Sequence, residues 1–170
     1  MTSLFCLAVL TLAVSGCGKD TDTGLKDATV TVEITYSDTN RSTSEYADIN
    51  YYVNSSTILS VSSTTGNCTK EYSVPSKNKL TFSCKVKDGY TFDPEKTYSL
   101  LFSSTAFITV KTKEGNIIDS QELNFCSEQR EGISGEKASY LMKELLSDMA
   151  ASYNIVVNSD GTLTLYLLDK

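Results

Sequence analysis

From Thr29 to Tyr36 apolar and polar side chains alternate without a break, Val30, Val32, Ile34 and Tyr36 on one side, Thr29, Thr31, Glu33 and Thr35 on the other. A period of two scatters apolar groups around a helix. In a strand it gives one face to a core and the other to water. The rhythm returns in Ala47, Ile49, Tyr51 and Val53 against Tyr46, Asp48, Asn50 and Tyr52. Asn54-Ser55-Ser56 then turns the chain into Thr57 to Ser62. It returns again in Leu80, Phe82, Cys84 and Val86 against Lys79, Thr81, Ser83 and Lys85, and Val74-Pro75-Ser76-Lys77-Asn78 reads as a hairpin turn from Thr69 to Ser73 into that strand. Tyr98 to Ser103, Ala106 to Lys113 and, after Glu114-Gly115-Asn116, Ile117 to Phe125 are further strands. Many short strands at this spacing predict a mainly β fold, a β-sandwich of immunoglobulin-like or transthyretin-like architecture.

One stretch breaks the rhythm. Ala138, Leu141, Met142, Leu145 and Met149 recur at helical spacing, with Ser134 placed to cap the start and Glu136 near the positive end of the dipole. The spacing predicts a helix over Ser134 to Ser152, its two methionines filling core. Ile155-Val156-Val157, the turn Asn158-Ser159-Asp160-Gly161 and Thr162 to Leu168 read as a C-terminal hairpin. Residues 28–170 are long enough for one core and are expected to form a single domain.

Charge narrows the partners. The net charge is −6 and the isoelectric point near 4.7, with no run of Lys or Arg, so the overall field repels phosphate backbones and no nucleic-acid partner is expected. The chain has no histidine, which removes Ser–His and Cys–His nucleophile pairs and histidine-containing zinc sites. No CxxC, P-loop, GxGxxG or GxSxG is present, and neither metal nor cofactor is expected. Paired carboxylates are the remaining catalytic chemistry. Asp88, Asp93 and Glu95, or Glu128 and Glu131 in an expected loop before the helix, are the candidates for flanking a glycosidic bond, and solvated surface is the plainer reading of each.

Tyr46 and Tyr52 fall on the strand face opposite the aliphatic set, beside Asp48 and Asn50, a grouping suited to sugar or peptide recognition if that face is open. Cys68 and Cys84 would stand nearly opposite in a hairpin folded about Ser76, so a disulfide between them is expected, with a buried thiol as the alternative for Cys84 and Cys126 as a substitute partner.

Before the domain, Leu4 to Val14 is apolar except for Thr11, too short for a membrane span and long enough for a signal-peptide core. Val14-Ser15-Gly16-Cys17 closes it and resembles the lipobox of bacterial lipoproteins, here of the small Bacteroidota envelope kind; Met1-Thr2-Ser3 departs from the pattern in carrying no positive charge. The resemblance implies that residues 1–16 are removed, that Cys17 is acylated, and that the protein is anchored by lipid in the bacterial outer membrane, facing the periplasm or the exterior. The alternative is an ordinary secretory signal with an incidental cysteine. Residues 17–27 are polar and read as a flexible tether. Within them Asp20-Thr21-Asp22-Thr23-Gly24 imitates half a calcium loop whose remaining ligands are missing. The expectation is a non-enzymatic binding or structural module for a protein or glycan. The alternatives are an inhibitor or immunity-type lipoprotein that neutralises a basic partner, and a carboxylate-dependent glycan hydrolase.

Overall fold

The computed structural model describes residues 25, 27–74 and 77–168; the lipobox, Cys17 and nearly all of the tether lie outside them. The architecture is an antiparallel β-sandwich of two sheets with one late helix and a C-terminal hairpin. In chain order the strands are β1 (Thr29–Asp38), β2 (Ala47–Val53), β3 (Ser56–Ser60), β4 (Thr65–Ser73), β5 (Lys77–Val86), β6 (Thr97–Lys111) and β7 (Ile117–Ser134). The helix α1 (Gly135–Met149) follows, then β8 (Ala151–Val157) and β9 (Leu163–Leu168). One sheet has the order β4-β1-β6-β7 and the other β3-β2-β5-β8-β9.

Alternation decides what is inside. Val30, Val32 and Ile34 of β1 and Leu100, Phe102 and Ile108 of β6 face Ile49, Tyr51, Leu80 and Phe82 of the other sheet, all essentially inaccessible. An aromatic series crosses the core: Tyr36 stacks on Phe102 (6.1 Å), Phe102 on Phe82 (6.1 Å), and Phe82 meets Tyr51 at 5.1 Å. Two hydrogen bonds between β7 side chains and the β9 main chain hold these edges together, Gln121 Nε2 donating to Leu163 O (2.8 Å) and Leu163 N–H to Asp119 Oδ2 (2.7 Å). The helix closes the same side, its buried Ala138, Met142, Leu146 and Met149 turned into the core.

Several sequence expectations are corrected. β4 and β5 do not form a hairpin with each other: β4 pairs with β1, and β5 with β2 and β8, in the other sheet. The partner of each strand is chosen by burial. Leu80, Phe82 and Cys84 need a central strand, whereas β4 is polar enough for an edge. Cys68 and Cys84 are therefore in different sheets, and both, with Cys126, are free thiols. Cys68 Sγ instead faces Ile58 O at 3.2 Å. The two strands expected between Tyr98 and Lys113 are the single β6, and β7 runs on to Ser134, so Glu128 and Glu131 sit in a strand. The helix stops at Met149 because Ala151 and Ser152 pair with Phe82 and Thr81 of β5, and Ser134 makes no side-chain cap bond.

Candidate functional site

Tyr46 belongs to the turn before β2, outside the strand's parity, and its ring lies in the core. Asp38, fully buried, fixes that turn by accepting the main-chain N–H of Thr43 (2.9 Å) and Ser44 (2.8 Å). Tyr46 then packs on Phe92 (5.4 Å) and edge-on to Tyr98, and its hydroxyl donates to Ser99 O (3.0 Å) and Met142 Sδ (3.4 Å). Burial raises its pKa. Tyr46 is structural, a correction to its expected place on a binding surface.

Tyr52 lies on the strand face that alternation gives it. Half-buried on the outer face of the five-stranded sheet, it lies with Asp48 and Asn50 of β2. The register carries that face across four strands, Tyr52 opposite Thr81, Thr81 opposite Ser152, and Ser152 opposite Leu168. One row along the sheet, Lys79 stands opposite Asn154 and Asn154 opposite Tyr166, whose side chain is 54 % exposed. Tyr166 escaped the sequence reading, which followed the Leu163, Leu165, Leu167 side of that strand; the same alternation read for the other side exposes it. With strands about 4.8 Å apart, the two tyrosines flank a strip about 14 Å wide.

The floor between them is hydroxyl-rich. Thr81 and Ser152 share a hydrogen bond (3.0 Å), and with Ser83, Ala150 and Leu168 they border a cleft of about 330 Å³ where β8 emerges from the helix. A second cleft, about 360 Å³, adjoins it between β5 and α1 and is edged by Lys85 and Lys143. The charge on this face is positive: Lys77, Lys79 and Lys85 of β5 against Asp48 and the Asp88 that pairs with Lys85, among the described residues. The outer face of the four-stranded sheet has the opposite sign, with Glu33, Glu71 and Glu122 against Lys111, and a single exposed ring, Phe107 (41 %), between Glu33 and Glu122. A net charge of −6 thus conceals two faces of different sign.

The carboxylate candidates divide. Glu128 and Glu131 border one shallow cleft of about 180 Å³ with Ser37, Thr39 and Ser103, and Glu128 is turned to Arg130 (3.7 Å). Asp93 receives the main-chain N–H of Glu95 (3.0 Å) and Asp88 pairs with Lys85 (3.2 Å), so both take part in local turn structure. Burial, ahead of the charge on Glu128, pushes the Cys126 thiol up to about 12, and burial likewise raises Cys84, which disfavours the thiolate at both.

Fold and faces define a class: an antiparallel sandwich with one basic, tyrosine-flanked sheet face that no other described element covers. Comparison of the chain with protein-family models, curated proteins and solved structures gives no match.

Proposed function

We propose that the chain is a bacterial envelope lipoprotein, anchored in the outer membrane through Cys17, that acts without catalysis as a binding module and takes an acidic ligand on the outer face of its five-stranded sheet. The observation that carries this reading is the composition of that face. Tyr52 and Tyr166 offer flat apolar contact, Thr81, Ser83, Ser152 and Asn154 offer hydrogen bonds, and three lysines outnumber Asp48 and the Asp88 that pairs with Lys85, in an acidic protein. The lipobox supports the anchor: several acyl chains, at about 0.8 kcal/mol per buried methylene, hold a protein at a membrane where one does not. Intact mass measurement tests that part, with acyl mass on the protein expected to vanish in Cys17→Ser.

Retention on polyanions tests the binding part. Despite its charge of −6, the protein is expected to bind poly-glutamate or polygalacturonate, and to lose that binding on Lys79→Glu with Lys85→Glu. Removing both rings in Tyr52→Ala, Tyr166→Ala costs about 0.5–1.5 kcal/mol per ring if they contact the ligand. Indifference of binding to all four changes contradicts the assignment.

A second reading has its own observation. The row Glu33, Phe107, Glu122 is an aromatic ring between two carboxylates, suited to a basic partner, as an inhibitor or immunity-type lipoprotein would need. Capture of a cationic protein that is lost in Glu33→Lys and falls steeply with salt would favour it.

A further inference from the structure

Strand β8 accompanies only the first part of β5, its register ending at Phe82 opposite Ala151. On the other edge β2 continues to Val86, opposite Ala47. From Ser83 to Val86 the edge of β5 that continues the β8 line therefore has no strand beside it among the described residues. The direction of its main-chain groups follows from two contacts. Lys79 gives its N–H to Asn54 Oδ1 (2.8 Å) and accepts Asn54 N–H at its carbonyl (3.0 Å), and Lys87 gives its N–H to Tyr46 O (2.9 Å), all on the β2 side. These directions alternate along an antiparallel strand, so the N–H and C=O of Cys84 and Val86 point away from β2, toward α1. There the chain leaves the cleft of about 360 Å³ between Cys84, Lys85 and Val86 on one side and Lys143, Ser147 and Ala150 on the other.

Its lining contains two lysines and no carboxylate, in a chain of charge −6. Lys85 does pair with Asp88 at 3.2 Å, but the side chains are 57 % and 93 % exposed, and a pair so hydrated exchanges readily for another carboxylate. The α1 side of the cleft carries the small side chains of Ser147 and, just past the helix end, Ala150.

We propose that this cleft takes an extended acidic peptide segment by strand addition to β5, in the line that β8 vacates. The inference rests on the reading of this sheet face as the ligand face and names its ligand. The incoming strand pairs with the main-chain groups of Cys84 and Val86, and its alternate side chains, acidic ones, reach Lys85 and Lys143. Main-chain pairing supplies the affinity and the lysines the selectivity.

The test uses the ¹⁵N-labelled full chain in detergent micelles and the blocked hexapeptide Val-Glu-Val-Glu-Val-Glu. Exchange of the Cys84 and Val86 amides is expected to slow about tenfold or more when the peptide is saturating. Lys85→Glu with Lys143→Glu is expected to weaken binding about tenfold or more, as loss of charge-assisted contacts does, with the unbound spectrum unchanged as the check on folding. Lys85→Gln should give an intermediate loss, and a peptide N-methylated at alternate residues should not bind. Unchanged exchange at Cys84 and Val86 with the peptide in excess overturns the proposal. If polygalacturonate moves the Tyr52 and Tyr166 signals while the peptide moves nothing, strand addition fails and the ligand-face reading stands; if neither moves that face, both fail.

Discussion

Buried polar atoms do the most specific work in this molecule. Asp38 accepts two main-chain N–H groups, one at each carboxylate oxygen, so Asp38→Asn sets an amide donor against one of them. We expect a loss of about 1–3 kcal/mol by urea unfolding. Tyr51 donates to Ser104 Oγ (2.6 Å), which donates to Thr35 O (3.1 Å), and the chain of bonds is asymmetric. Tyr51→Phe removes one donor and should cost about 0.5–1.5 kcal/mol, whereas Ser104→Ala leaves the buried Tyr51 hydroxyl without its acceptor and should cost more, about 1–3 kcal/mol. Protonation adds a pH dependence. Burial, then the neighbouring Tyr98 and Glu45, pushes Tyr90 up to about 12, and Cys126 is pushed to about 12 as well. A folded value raised above the unfolded one means that the unfolded chain releases its proton first, so stability falls as pH rises from about 8.5, where an unfolded thiol titrates, through about 10 for an unfolded tyrosine. Urea midpoints between neutral pH and pH 11 should decrease steadily; a flat profile contradicts the buried placement. Sequence could not show which tyrosines these are. Tyr46 carried strand parity only if β2 began one residue earlier, and the Asp38-bound turn that breaks the parity depends on contacts made by the fold.

Elements were legible in kind, and their partners were not. Alternation located nearly every strand, and the i, i+3, i+4 series located α1, yet nothing local in β4 or β5 says that they pair with β1 and with β2 and β8 and not with each other. The same limit hid the extension of β7, whose residues Ser127 to Glu131 are polar on both sides because that stretch lies at an exposed sheet edge. Consequences for thiols follow from the sheet assignment: non-reducing denaturation of the domain should release the three reactive thiols of Cys68, Cys84 and Cys126. A Cys68–Cys84 linked peptide in a non-reduced digest would contradict the topology. The helix is held by packing. Leu146→Ala empties a fully buried site and should cost about 2–5 kcal/mol. Gly135, at the start of α1, lies so close to the Asp93 carbonyl that a Cβ there has no room, and the obstacle is main chain. Gly135→Ala should therefore destabilise by about 1–3 kcal/mol or more, against the gain that alanine gives in an unconstrained helix.

At the scale of the whole molecule the organising fact is the separation of charge between two sheet faces that the net charge conceals. A summed charge of −6 points to basic partners, and only the register, which gathers Lys77, Lys79 and Lys85 on one side and Glu33, Glu71 and Glu122 on the other, reveals a face suited to the opposite kind. The lysines of β5 were readable as the solvent side of an alternating strand; that they share a surface with Tyr166 required the order β2-β5-β8-β9. Hydrogen-exchange mapping of the full chain with and without poly-glutamate tests this division most directly. Added protection is expected at β5, β8, β9 and the second half of α1, and protection centred on β1, β6 and β7 around Phe107 would contradict the division.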